Sequence, residues 1–141
     1  MSVEEKKVFL HRWVDEVWNK GNLALVDEYV SDEYVYHEPS LPQPLRGPDG
    51  FKGLVAMYRT AFPDLTMTVE EAVVEGDKIA WRLQSRGTQT GPLMGIPPSG
   101  KEGRVTGTII SRFSNGKWVE DHMNLDTLGM LQQIGVIPTM G

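Results

Sequence analysis

Lys117-Trp118-Val119-Glu120-Asp121-His122-Met123-Asn124-Leu125-Asp126 follows Val105 to Phe113 across the dipeptide Asn115-Gly116. Asn-Gly between two alternating runs is the sequence mark of a two-residue type I′ hairpin. A regular register from that turn pairs Phe113 with Trp118, Ser111 with Glu120 and Ile109 with His122. Side chains two apart on a strand share a face, so Trp118, Glu120, His122 and Asn124 are expected to project together, with Asp126 at their end. Such a face combines an apolar wall with an acid, an imidazole and an amide, the groups from which a general acid-base site is built.

Alternation extends upstream. Leu65, Met67 and Val69 alternate with Thr66 and Thr68, and Ile79, Trp81 and Leu83 alternate with Ala80, Arg82 and Gln84 around a Gly76-Asp77 turn. Before Pro63 the period is helical. Leu10, Trp13, Val14, Val17 and Trp18 form one stripe behind a Ser2/Glu5 capping box, with Gly21 as the stop. A short second helix carries Leu25, Val26, Tyr29 and Val30, and Ser31 and Asp32 end it. Tyr34 to His37 read as a short strand, and Pro48 opens a third helix bearing Phe51, Leu54, Val55, Tyr58 and Phe62. A last helix follows Asp126. Helices first and antiparallel strands afterwards predict an α+β domain, a cone-shaped curved antiparallel sheet wrapped around N-terminal helices in the manner of a cystatin-like α+β barrel. The Gly- and Pro-rich stretch Thr90 to Gly100 reads as a mouth loop, with Leu93, Met94 and Ile96 as a hydrophobic lid.

A chain of 141 residues with 40% hydrophobic and 23% charged residues has room for one domain, 1–141. Without cysteine there is no disulfide, thiolate nucleophile or cysteine-bound zinc. A net charge of -5 argues against nucleic acid as a partner. No apolar run approaches the roughly 20 residues of a membrane helix, and no apolar segment follows the first charged residues, so a cytoplasmic location is expected. Neither H-E-x-x-H nor a histidine pair at i, i+2 or i, i+4 is present, so no metal is expected. No strand-Gly-x-Gly-x-x-Gly-helix context exists for a nucleotide.

Several further stretches carry a family resemblance: Tyr36-His37-Glu38-Pro39, Phe62-Pro63-Asp64-Leu65, Glu75-Gly76-Asp77, Arg86 to Gly91, Gly95 to Lys101, Arg112-Phe113, Asn115-Gly116-Lys117 and the run Asp126 to Gly135. In order and spacing the chain resembles the SnoaL-like polyketide cyclase or ester cyclase branch of the nuclear transport factor 2-like superfamily. The resemblance implies a dimeric cone with a deep apolar cavity. It also implies a cofactor-independent enzyme in which an aspartate near the end of the last strand takes a proton from a carbon acid, and the enolate closes a ring by aldol addition. Asp126 matches that aspartate and His37 a cavity histidine. Gln89 stands where relatives often carry histidine, and Ile109 where many carry a second cavity histidine.

Asp126 is equally placed to cap the last helix, with Leu125 and Met130 spaced as a hydrophobic staple. His122, opposite Ile109 in the regular register, offers an imidazole moved across the hairpin. The expected catalytic set is therefore Asp126, His122 and His37. Trp81, Ile109, Phe113, Trp118, Glu120 and Asn124 are the expected walls for a small, largely apolar carbonyl compound, without cofactor. Two other readings share the fold: a non-catalytic ligand-binding or dimerising module, and an epoxide hydrolase or ketosteroid-isomerase-like enzyme. The sheet face turned away from the helices is expected to be apolar and to form a homodimer.

Overall fold

The computed structural model describes residues 1–139. Ser2 Oγ accepts from the Glu5 N–H at 3.1 Å while the Ser2 N–H donates to Glu5 Oε1 at 3.2 Å, which forms the expected capping box. The helix it opens, α1 (Val3–Trp13), continues into a π-helical stretch, Val14–Asn19. All five residues of the apolar stripe are buried. Carbonyls at a helix end lack helical donors; here Arg59 Nη1 donates to those of Trp18 and Asn19, at 2.8 and 2.9 Å. The Asn19 side chain then joins this end to the sheet, accepting from the Met67 N–H at 2.6 Å and donating to its carbonyl at 3.0 Å.

Helix α2 (Ala24–Tyr29) ends where Val30 begins β1 (Val30–His37), so the first strand starts earlier than its sequence suggests. The short β2 (Leu45–Arg46) leads into α3 (Gly47–Ala61), which has proline in its first turn as expected. Strands β3 (Thr66–Glu75), β4 (Lys78–Thr88), β5 (Glu102–Ser114) and β6 (Lys117–Leu125) follow, then α4 (Thr127–Gln133). The six strands form one sheet in the order β2-β1-β6-β5-β4-β3. It is antiparallel except between β1 and β6, which run parallel and are joined by a long crossover through α3 and β3 to β5.

Alternation decides what each face holds. Ile79, Trp81, Leu83 and Ser85 on β4, and Val105, Ile109, Ser111 and Phe113 on β5, turn inward and are buried. Phe9, Trp13, Tyr29, Phe113 and Trp118 close the hairpin end of the concave face with ring contacts of 4.8 to 6.4 Å. The outer face presents Arg82, Arg104, Thr106 and Thr108 to solvent. Val73 and Ile110 are its large exposed hydrophobics. The outer surface is thus polar and threonine-rich, which corrects the expectation of an apolar one.

The hairpin holds the decisive correction. Asn115 and Gly116 take φ of 54° and 76°, as a type I′ turn requires, and Phe113 pairs with Trp118. The register then shifts: Arg112 pairs with Glu120, leaving Val119 as the extra residue of a β-bulge. Beyond it Ser111 faces Asp121, Ile110 faces His122 and Ile109 faces Met123. A one-residue slip moves every following side chain to the opposite face. Asp121 and Met123 therefore join Trp118 inside, while Glu120, His122 and Asn124 lie outside.

Candidate active site

Between the helices and the concave face lies a cavity whose walls include Leu10, Trp13, Trp18, Phe51, Trp81, Leu83, Val105, Ile109 and Trp118. Its polar groups come from Tyr36, Glu38, Tyr58, Ser85, Arg86, Ser111 and Asp121. The volume open to the centre of a water molecule is about 60 Å3, and the whole gap between the walls, out to solvent, is about 840 Å3. It is narrow, but Met67, Met123 and Met130 line it, and thioether side chains re-pack readily around a guest.

Asp121 is the acid the bulge delivers to this cavity. The Tyr34 hydroxyl donates to its Oδ2 at 2.5 Å, and the Ser111 hydroxyl donates to Oδ1. Ser111 has its proton free for this because its oxygen is already engaged: Trp81 Nε1–H donates to Ser111 Oγ at 3.0 Å. Burial pushes the Asp121 carboxyl up to about 6, against the opposing pull of the Ser111 and Tyr34 bonds and with a smaller upward push from Glu120. Tyr34, buried against the same carboxylate, is held well above the ordinary phenol range by burial and then by Asp121, so it stays a donor.

A second buried polar group adjoins it. Tyr36 pairs with Asp121 across the parallel strands, and its hydroxyl donates to Glu38 Oε1 at 2.7 Å. Ser40 donates to the other Glu38 oxygen. Burial, reinforced by Glu38, also raises Tyr36 and Tyr58, which keeps both phenols protonated at neutral pH. Trp118 Nε1 is the one buried side-chain polar atom among the described residues without a hydrogen-bond partner. Leaving such a donor unpaired costs on the order of 1–3 kcal/mol.

The expected site residues divide accordingly. Trp81, Ile109 and Trp118 line the cavity, whereas Phe113 is packed in the aromatic end against Phe9 and Trp118. Asp126 is exposed and accepts from the Gly129 N–H at 3.0 Å, capping α4. His37, Glu120, His122 and Asn124 are absent from the cavity wall; His37 Nε2 lies 3.3 Å from Glu120 Oε2, and the His37 and His122 rings stack at 4.3 Å on the outer face. Sequence reasoning missed Asp121, Ser111, Tyr34, Tyr36 and Glu38. The alternation Tyr34, Tyr36, Glu38 is a signal that these three share a face, opposite in parity to His37.

Thr90 to Gly100 is a pinned loop rather than a lid. Gln89, fully buried, donates from Nε2 to the Pro97 carbonyl and accepts from the Ser99 N–H, both at 3.2 Å. Leu93 and Ile96 exchange backbone bonds, and neither they nor Met94 line the cavity. Gln89 thus organises the loop at the position where a histidine is common in the resembled family.

With this geometry in view, the chain matches the SnoaL-like polyketide cyclase family over residues 9–134. It is 29% identical over 136 residues to the aklanonic acid methyl ester cyclase DauD of Streptomyces sp. (strain C5), covering 92% of this chain and 81% of the relative. Among solved structures, TsrD from Streptomyces laurentii superposes with a TM-score of 0.85 at 26% identity, covering 97% of this chain and 99% of that one. IdmH from Streptomyces antibioticus does so with a TM-score of 0.74 at 33% identity, covering 87% and 94%.

Proposed function

Because the chain belongs to the SnoaL-like polyketide cyclase family, we propose that it closes a ring in a small, largely apolar carbonyl compound, with Asp121 as the general base. The supporting observation is a buried carboxylate on the cavity wall, raised to about 6 and oriented through both oxygens. A base of that strength is mostly ionised at neutral pH yet close enough in pKa to return its proton.

Asp121 takes a proton from carbon next to a carbonyl. The electron pair of that C–H bond forms the enolate, whose carbon attacks a second carbonyl carbon in the same molecule. One C–C bond forms, the attacked oxygen becomes an alkoxide, and the proton on Asp121 passes to it. Atoms balance within the substrate, no electrons are transferred, and the proposal assigns no cofactor. Tyr34 and Ser111 hold the base, and Trp118 on the cavity wall, whose buried N–H has no protein partner, is proposed as the donor that a substrate oxygen meets once bound. A homodimer and a cytoplasmic setting complete the proposal. Among the described residues no helix is long and apolar enough to cross a membrane.

Aklanonic acid methyl ester, the compound in the name of the similar cyclase, is the first probe. Chromatography with mass detection is expected to show a product of unchanged mass and altered retention. A ligand that binds without ring closure and without deuterium uptake from D2O would contradict the proposal and indicate a binding module.

A further inference from the structure

Two imidazoles and a carboxylate meet on the outer face of the sheet, away from the cavity. His37 on β1 pairs directly with His122 on the parallel strand β6, and Glu120 lies two residues before His122 on the same face. One nitrogen from each ring and one Glu120 oxygen all lie within 4.8 Å of one another. The sequence separation between His37 and Glu120 is 83, so no local motif announces the group. Beside it runs a groove walled by Pro39, Leu41, Pro42 and Pro44 and by His37 and His122 themselves.

We propose that His37, His122 and Glu120 form a binding site for a first-row transition metal, with Zn2+ as the reference ion. Two imidazoles and a carboxylate suit zinc, cobalt or nickel rather than magnesium or calcium, which take oxygen ligands. Three protein ligands would leave a fourth tetrahedral position, and two of them, His37 and His122, line the proline-walled groove. The ligands stand on adjacent strands, so their backbones are fixed by the β1–β6 ladder. The side chains have room to turn: the His37 and Glu120 side chains are 36% and 33% exposed, and His122 is exposed.

The apo arrangement differs from a metal-bound one in a defined way. The rings are stacked with only 12° between their planes, so their nitrogen lone pairs lie in two nearly parallel planes and do not converge on one point. Zinc–ligand bonds of about 2.0–2.2 Å require the ligand atoms to converge by roughly an ångström, which rotation about side-chain torsions supplies. Glu120 Oε2 exchanges His37 for the metal. Its Oε1 remains toward Arg112, whose Nε lies 3.7 Å away, so the guanidinium both orients the carboxylate and weakens the site through like charge.

The test uses full-length protein without a polyhistidine tag, stripped with chelator and dialysed. Calorimetric titration with Zn2+ is expected to show one equivalent bound. His37→Gln and His122→Gln, each checked for unchanged melting, are expected to lower the affinity at least as much as loss of an outer partner does, about 10–100-fold. Co2+ is expected to give the intense visible bands of a tetrahedral site in the parent and not in either variant. Absence of stoichiometric Zn2+ binding, or affinity retained in both histidine variants, would overturn the proposal.

Discussion

Ser111 and Asp121 are direct partners across the β5–β6 hairpin, and the serine hydroxyl donates to the aspartate Oδ1. This pairing exists because Val119 is extra in β6. Without the bulge, Glu120 would stand opposite Ser111 and Asp121 would face solvent. The bulge decides which acid enters the cavity.

Ionisation of Asp121 carries a signature in stability. Its folded pKa of about 6 lies above the reference 3.8, so between those values the folded state holds more protons than the unfolded one. Stability from this group is therefore fully present at low pH and falls as pH rises through about 6, by on the order of 3 kcal/mol. Denaturant unfolding at pH 4 and pH 7 is expected to show wild type losing about that much relative to Asp121→Asn. A constant difference would contradict a raised pKa.

Catalysis runs the other way with pH. If ionised Asp121 is the base, turnover should rise tenfold per pH unit below about 6 and level off above it. A rate that falls over this interval would exclude the assignment.

Asp126 acts on helix α4. Asp126→Asn should change stability little, and Asp126→Ala should cost about 0.5–2 kcal/mol. Thermal melting of the two variants checks the cap; equal stability in both would dispose of it.

Trp118→Phe removes the unpaired N–H and keeps an aromatic ring. Turnover is expected to fall by roughly tenfold or more, as loss of a hydrogen bond to a substrate oxygen does, beyond a packing cost of about 1–2 kcal/mol for the smaller ring in the aromatic cluster. Full activity would show that the indole N–H meets no substrate atom.

Gly91 lies where an added Cβ would come within 2.0 Å of the Thr60 carbonyl oxygen. Gly91→Ala should therefore cost about 1–3 kcal/mol by forcing the loop from α3. An unchanged melting temperature would mean that the loop is not tightly docked.

Much of this architecture was legible in the residues. The capping box, the proline opening α3, the Asn115-Gly116 turn and the inward set Ile79, Trp81 and Leu83 all follow from local chemistry. The site was less so, because its parity hangs on Val119, and nothing in a Trp-Val-Glu-Asp run marks which residue will be left unpaired. A bulge is set by what lies on both faces, here the aromatic cluster that holds Trp118 and the Tyr34–Ser111 pair that receives Asp121. The parallel partnership of β1 with β6 was equally hidden, and with it the meeting of His37 and His122. Asp126 matched the resembled family by position along the strand, while the buried acid stands five residues earlier.

The most direct measurement is deuterium uptake in D2O at the acidic carbon of a bound carbonyl compound, compared between Asp121→Asn and Asp126→Asn. Asp121→Asn is expected to slow exchange by at least about 100-fold with folding intact, and Asp126→Asn to leave it near the wild-type rate. Exchange retained in Asp121→Asn but abolished in Asp126→Asn would contradict it.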